Sequence, residues 1–402
     1  MAMPDSGAKS GSSLTVLPNP APDTLDRDDL RRYSRHLLLP EVGVAGQKQL
    51  RRSKVLLVGA GGLGAPTALY LAAAGVGEIG LVDFDEIELS NLQRQVLYTS
   101  ADLGRPKLEA ARDRLTSLNP GIRVTPISQR LTADTAMDVL RPYDVVIDGT
   151  DNFPTRYLVN DACVLLGKPD VYGSIYRFEG QATVFDAKRG PCYRCLFPEP
   201  PPPNAVPSCA EAGVLGVLPG LIGMIQATET VKLLLGTGEP LIGRLLLYDA
   251  LAMSFRELQL TKNPTCVICS PNAPQNGLID YPAFCGVTAD ASSSAGGLPQ
   301  VSPEELRDEL AGPDPPTLVD VREPNEWEIV HLPNAHLIPR AQLPDRLNEL
   351  TSSRRLVLYC RTGGRSSQAT QLLLDLGFSN VRNLTGGITA WAKKVDPSLP
   401  TY

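Results

Sequence analysis

An apolar run passes straight into a glycine-rich loop at Val55–Gly64, and this junction restricts the fold more than any other stretch. Val55-Leu-Leu-Val58 is apolar without alternation, as in a strand buried on both faces of a parallel sheet. Gly59-Ala-Gly-Gly-Leu-Gly64 follows at once, fits G-x-G-x-x-G, and opens a helix-like stretch from Gly64 to Ala74. A loop without side chains lets backbone amides approach a phosphate, and the helix N-terminus adds a favourable dipole. Gly61 and Gly62 are the candidate contacts. Ile79-Gly-Leu-Val82 reads as the next strand and ends at Asp83, placed to accept hydrogen bonds from ribose hydroxyls. Taken alone, the loop is a dinucleotide fingerprint and leaves an NAD-dependent dehydrogenase open.

The pattern continues. Arg105 to Leu118 reads as a helix, and Asp144-Val-Val-Ile147 as a buried strand ending at Asp148 and Asp151. Strands alternating with helices predict an α/β fold on a parallel sheet. The 402 residues exceed one ordinary core, so two domains are expected. Residues 1–24, rich in Ser, Gly, Pro and Asp, read as a disordered tail, and 25–286 as the first domain. Ala, Ser and Gly dominate a linker at 287–298, and a small α/β domain follows at 299–402. In it, Thr317-Leu-Val-Asp320 and Leu356-Val-Leu-Tyr359 read as strands, and Arg365 to Leu376 as a helix.

A net charge of -6 argues against a nucleic-acid binder. The most apolar stretch, Gly213 to Gly236, is broken by Pro219 and carries Glu229 and Lys232, so no membrane span is expected. No secretory leader is visible at the N-terminus. With 8 cysteines in two CxxC pairs and isolated positions, the chain fits a reducing, cytoplasmic compartment. Cys192 and Cys195 form one pair, and Cys266 and Cys269 the other. Four thiolates would close a structural Zn²⁺ site with no open position, a redox dithiol or unrelated cysteines being the alternatives, and the long gap between pairs requires the fold to assemble it.

Cations and carboxylates beyond the glycine loop turn the reading away from hydride transfer. Ser90-Asn-Leu-Gln-Arg-Gln95, Gly104-Arg-Pro-Lys107 and Gly149-Thr-Asp-Asn152 put Arg94, Lys107 and Asp151 at sheet ends, where a doubly wound fold binds its ligand. Cations suit a triphosphate, and a carboxylate suits Mg²⁺.

Together with Arg32-Tyr-Ser-Arg-His36, Val82-Asp-Phe-Asp85, Cys192-Tyr-Arg-Cys195 and Tyr248-Asp-Ala250, these motifs resemble the MoeB/ThiF branch of the E1-like activating enzymes over residues 25 to 270. The resemblance implies a Rossmann-like E1/ThiF-type domain that binds ATP. Asp83 would hold the ribose. Asn91, Arg94 and Lys107 would contact the phosphates. Asp151, beside Asn152, would hold Mg²⁺ and support the chemical step. Arg35 would reach into the neighbouring subunit's site, which implies a homodimer. The same resemblance supports the four-cysteine zinc pairing. In the family, a cysteine in the loop holding Cys209 forms a covalent bond with the carrier or resolves a sulfur intermediate.

Cys360 ends the strand Leu356–Tyr359 and opens Cys360-Arg361-Thr362-Gly363-Gly364-Arg365-Ser366. Glycines let N–H groups turn inward, a helix N-terminus faces the sulfur, and Arg361 and Arg365 add positive charge. Such surroundings lower a thiol pKa and suit a persulfide. A phosphatase loop reads Cys-x₅-Arg; here the spacing is Cys-x₄-Arg, short for a phosphate and suited to one sulfur. With Asp320-Val-Arg-Glu323, Trp327, His331-Leu-Pro-Asn-Ala335 and Gly386-Gly-Ile-Thr-Ala-Trp391, the segment 298–395 resembles the rhodanese domain. Asp320 is expected to fix the loop by hydrogen bonds. The domain order resembles MoeB–rhodanese fusions of the MoeZ-like kind, related to MOCS3/Uba4. That implies ATP-dependent adenylation of the C-terminal glycine of a ubiquitin-like sulfur-carrier protein (MoaD/ThiS/CysO type). Sulfur would then pass from Cys360, charged by a donor such as a cysteine desulfurase or thiosulfate, giving a thiocarboxylate. The linker would let Cys360 swing towards the acyl adenylate. The alternatives are a modifier-activating enzyme with a thioester on Cys209, and a dehydrogenase carrying a rhodanese-like binding module.

Overall fold

The computed structural model describes residues 24–202, 212–286, 297–350 and 354–402. The readings of a disordered tail and a linker, and the role of Cys209, fall on residues outside these. The chain divides into two compact units, Met1–Thr288 and Ala289–Tyr402.

The first unit is built on eight strands: β1 (Lys54–Val58), β2 (Glu78–Val82), β3 (Arg123–Ile127), β4 (Val145–Asp148), β5 (Asp170–Tyr176), β6 (Glu179–Phe185), β7 (Arg244–Asp249) and β8 (Ser254–Gln259). Their order is β3-β2-β1-β4-β5-β6-β7-β8. Strands β3 to β5 in that order pair in parallel. The rest is an antiparallel meander, β5 to β8. The parallel sheet read from the sequence is therefore only half of this one. Alternating, partly polar strands such as Ser254-Phe-Arg-Glu-Leu-Gln259, exposed along its whole length, lack the continuous apolar run that marks a doubly covered strand.

β1 is covered on both sides. Val55 and Leu57 enter one core with Leu71, Ile79, Leu108 and Leu115. Leu56 and Val58 enter the other with Val146, Tyr157 and Tyr172. The helix Leu218–Leu235 packs on the helix Gly64–Ala74 and on β5 and β6, so its apolar length serves the core. Its polar members are paired inside: Gln226 donates to the Asp148 and Val171 carbonyls at 2.8 and 2.9 Å, and Glu229 accepts from the Leu241 amide at 2.7 Å. Among the described residues, no helix is long and apolar enough to cross a membrane.

The second unit has a parallel sheet ordered β11-β10-β12-β13-β9. Its strands are β9 (Gln300–Val301), β10 (Thr317–Asp320), β11 (His336–Leu337), β12 (Leu356–Tyr359) and β13 (Val381–Leu384). Leu356 and Leu358 face one core and Val357 and Tyr359 the other, so β12 is also covered on both sides.

Candidate functional site: a nucleotide edge, a thiol cluster and a sulfur loop

The ends of β1, β2 and β4 lie level, since Val58 pairs with both Val82 and Asp148. The loops leaving these strands share one edge of the sheet. Gly59 has φ +98°, and a Cβ there would lie 2.8 Å from the Gly149 carbonyl oxygen. A Cβ on Gly64 would collide with the Gly59 carbonyl, so the helix Gly64–Ala74 can approach the strand only through glycine. Asp83 Oδ2 accepts from the Ala60 amide at 2.8 Å, and Oδ1 accepts from the Phe84 and Asp85 amides at 2.8 and 2.9 Å. The carboxylate thus ties the glycine loop to the end of β2. Tyr98 donates to the Ala60 carbonyl at 2.8 Å from below.

Arg94 comes beside the loop, its Cδ 3.6 Å from where a Gly62 Cβ would sit, and its guanidinium donates to the Ser90 carbonyl at 3.0 Å. Asn91 Oδ1 accepts from the Glu88 amide at 3.2 Å. Lys107 opens the helix Lys107–Leu118, is buried, and reaches Asp85 Oδ2 at 2.8 Å. Asp151 is exposed after β4, and Asn152 caps the helix Phe153–Leu166 by accepting from the Thr155 amide at 3.0 Å. Arg35 lies exposed on the short helix Ser34–Leu37; among the described residues it makes no hydrogen bond to the glycine loop. A cavity of about 370 Å³ lies at the opposite end of the strands, beside Ser53, Asp144 and Pro169, and is lined by none of these residues.

Sequence reasoning missed what supports the Gly149–Asn152 loop. Asp148 Oδ1 accepts from the Thr150 amide and hydroxyl at 2.8 and 2.5 Å. Arg156 pairs with Asp148 Oδ2 at 3.3 Å and donates to the Thr150 carbonyl at 2.8 Å. Both side chains are buried. The available signal was the Arg four residues after Asn152, one helical turn along and able to point back under the loop.

The four CxxC cysteines converge although the pairs lie 71 positions apart, from Cys195 to Cys266. Cys192 Sγ lies 3.9 Å from Cys195 and 3.6 Å from Cys266, and Cys195 lies 3.4 Å from Cys269. All four sulfurs fall within 4.8 Å of one another. A tetrahedron with Zn–S bonds of about 2.3 Å has edges of roughly 3.8 Å, so the arrangement fits zinc. Ile268, Val164 and Leu165 pack around the sulfurs. Arg194, between the first pair, donates to both Asp161 oxygens at 2.8 to 3.1 Å, which anchors the turn to the helix Phe153–Leu166.

In the second unit, Cys360 follows β12 and is 1% exposed. The Gly363 amide reaches its sulfur at 3.2 Å and the Ser366 hydroxyl at 3.4 Å. Gly363, at φ +99°, turns the chain into the helix Gly364–Asp375. Ile388 and Thr389 amides hold the Cys360 and Arg361 carbonyls at 2.9 and 3.0 Å from the start of the helix Gly387–Lys394. Thr362 and Gly364 are exposed at the rim.

The sulfur lies on the floor of its loop, because the strand that delivers it is core on both faces. Two expectations change here. Arg365 adds no net charge: its two terminal nitrogens donate to the Glu326 oxygens, both at 2.6 Å. Asp320 bonds Arg322 instead of the loop, through the Arg322 amide at 3.0 Å and its guanidinium at 2.5 to 3.0 Å, with both side chains fully buried.

A glycine-loop α/β unit with a four-cysteine cluster, followed by a cysteine-loop α/β unit, defines a nucleotide-activating domain joined to a sulfurtransferase-type domain. Residues 33–268 match the ThiF family and residues 302–394 the rhodanese-like domain. Full-length relatives share this order. A protein of Mycobacterium tuberculosis described as probable adenylyltransferase/sulfurtransferase MoeZ is 51% identical over 397 residues, covering 97% of this chain and 100% of the relative. An adenylyltransferase and sulfurtransferase MOCS3 of Culex quinquefasciatus is 45% identical, covering 94% of this chain and 90% of the relative. A sulfur carrier protein adenylyltransferase of Thermus thermophilus is 57% identical over 266 residues, 65% of this chain and 98% of that protein. Among solved structures, E. coli MccB with ATP shares the fold at a TM-score of 0.51 and 24% identity, covering 60% of this chain and 73% of that one. The chain belongs to the ThiF family and carries a C-terminal rhodanese-like domain. The dehydrogenase reading of the glycine loop is thereby set aside.

Proposed function

We propose that this enzyme uses ATP to adenylate the C-terminal glycine of a ubiquitin-like sulfur-carrier protein and then passes it sulfur from Cys360. The observation that carries the reading is the pairing, in one chain, of the glycine loop, Asp83 and Gly149–Asn152 at one sheet edge with the Cys360–Ser366 loop of a second unit. The relatives' names point the same way.

In the first step a carboxylate oxygen of the carrier attacks the α-phosphorus and pyrophosphate leaves. Gly61 and Gly62 offer a surface without side chains for the phosphates. Arg94, Asn91 and Lys107 meet the charge on the phosphoryl oxygens, where fixed cations lower the barrier most. To do so, Lys107 trades part of its contact with Asp85, and Arg94 its contact with Ser90. Asp83 holds the ribose edge through its remaining acceptor capacity. Asp151, exposed beside them, would hold Mg²⁺, which neutralises phosphate charge. Arg35 of a second subunit would complete the site, making a homodimer. The four cysteines would hold Zn²⁺ as a structural ion, leaving the chemistry to the sheet edge.

In the second step a donor, a cysteine desulfurase or thiosulfate, loads Cys360. With thiosulfate, the thiolate attacks the sulfane sulfur, an S–S bond forms and sulfite leaves. The outer sulfur stands about 2 Å further from the loop floor, which brings it towards the mouth. Its lone pair attacks the acyl adenylate and AMP leaves, giving an acyl disulfide. A thiol, from Cys209 or an external reductant, attacks the Cys360 sulfur and releases the thiocarboxylate; a dithiol reductant then reduces the resulting disulfide. Fusion of the two units keeps the effective concentration of the loop high near the adenylate.

The test is mass spectrometry of a carrier incubated with enzyme, ATP and thiosulfate, alongside ATP–pyrophosphate exchange. Cys360→Ala should abolish thiocarboxylate and retain exchange. Thiocarboxylate formed at the native rate by that variant would sink the assignment. A hydroxylamine-sensitive carrier adduct on Cys209, passed on to lysines, would favour the modifier-activating reading.

A further inference from the structure

Tyr402 lies within the sulfurtransferase-type unit. It is half-buried and, with Leu399, packs against the core beneath β12. Its phenol oxygen accepts from Arg322 Nη1 at 2.6 Å and donates to Glu326 Oε1 at 3.1 Å. A phenol has one proton to give and lone pairs to receive, so it can bridge a cation and an anion at once. Burial pushes the Tyr402 hydroxyl up to about 12, so the proton it donates stays in place.

One partner leads to the sulfur loop and the other anchors the phenol away from it. Glu326 is the carboxylate that receives the two nitrogens of Arg365. Arg322 is fully buried and pinned by Asp320, so it is a rigid post for the phenol. The tyrosine ring, held from that end, lies under the guanidinium of Arg361, whose central carbon is 4.9 Å from the ring centroid. Arg361 is the residue directly after Cys360.

We propose that Tyr402 is a positioning residue for sulfur transfer: its ring holds the Arg361 guanidinium at the Cys360 loop, so that an anionic sulfur donor meets a fixed positive charge. A cation over an aromatic face is attracted by the ring's quadrupole and loses the freedom to swing into solvent. The proposal rests on Cys360 as the sulfur acceptor, and its test keeps the two claims apart.

The probes are iodoacetate, an anion, and iodoacetamide, its neutral analogue, with labelling of the Cys360 peptide read by mass spectrometry on the full chain. A positioned guanidinium favours the anion. Tyr402→Ala should lower the iodoacetate-to-iodoacetamide rate ratio at Cys360 roughly two- to fivefold, the change a cation–π contact supplies. It should raise the KM for thiosulfate in thiosulfate:cyanide sulfur transfer by a similar factor and leave kcat near the native value. Tyr402→Phe keeps the ring and should keep the ratio while melting lower. Tyr402→Leu carries the same expectation as the alanine variant and serves if that one does not fold. Equal acceleration of both reagents, or a fall in kcat alone, would show a packing role and overturn the proposal. If native enzyme takes no sulfur from thiosulfate, the acceptor reading weakens for that donor, yet the alkylation ratio still decides Tyr402.

Discussion

Asp170, at the start of β5, is buried, and its Oδ1 has no hydrogen-bond partner. Burial, then the charge of Asp148, pushes its carboxyl well above the ordinary carboxylate range, against the pull of Arg156. One arginine faces two carboxylates there. A raised folded-state pKa contributes stability that is complete below the unfolded value of about 3.9 and is lost as pH rises through the folded one. Asp170→Asn removes that loss. Its melting temperature relative to the native protein should therefore increase from pH 5 to pH 8; a difference flat across that window would mean Asp170 is ionised throughout. Asp148 behaves differently, since it holds Thr150 and Arg156 together. Removing one member of a buried ion pair typically costs about 3–5 kcal/mol, so Asp148→Ala should destabilise strongly.

At the scale of elements, the decisive contact joins β1 to the helix Gly64–Ala74. The glycines at 59 and 64 bring two backbones closer than any side chain permits. In Gly64→Ala the methyl meets a carbonyl oxygen, and neither the strand nor the helix can yield, because both are buried. Overpacking a tight core costs about 1–3 kcal/mol. Denaturant titration should show at least that loss, and ATP–pyrophosphate exchange should fall with it as the loop lifts from β4. The sulfur loop follows the same plan with different parts: β12, Gly363 at positive φ, then the helix Gly364–Asp375, backed by the amides of Ile388 and Thr389. There the approach of a second helix, not a second strand, closes the loop.

At the scale of the whole molecule, two units with separate cores imply two transitions on heating. The thiol cluster belongs to the first unit alone, tying the Cys192 turn on the helix Phe153–Leu166 side to the segment after β8. Purified protein should contain one zinc per chain by elemental analysis. Cys266→Ser should lose it and lower only the transition of the unit that contains it. A shift of both transitions by the same amount would mean that the units unfold as one.

Local pattern carried the sequence a long way. Apolar runs without alternation marked β1, β4, β10 and β12, because a strand covered on both faces has no polar side to show. Glycine spacing marked both loops, since a positive φ and a close backbone approach need that residue wherever the rest of the chain goes. The meander β5–β8 stayed hidden: β8 is exposed along its length, and β5 and β6, though mostly buried, mix polar residues and glycine into their runs, so neither shows a continuous apolar signal. So did the partners of the charges. Motif spacing put Arg365 in the sulfur loop and the rhodanese resemblance implied Asp320 beside it, but only the folded chain could show that Glu326 neutralises the first and Arg322 occupies the second. The meeting of four cysteines across 71 positions, and of Tyr402 with Arg361, is likewise a matter of three-dimensional distance, on which a linear spacing is silent.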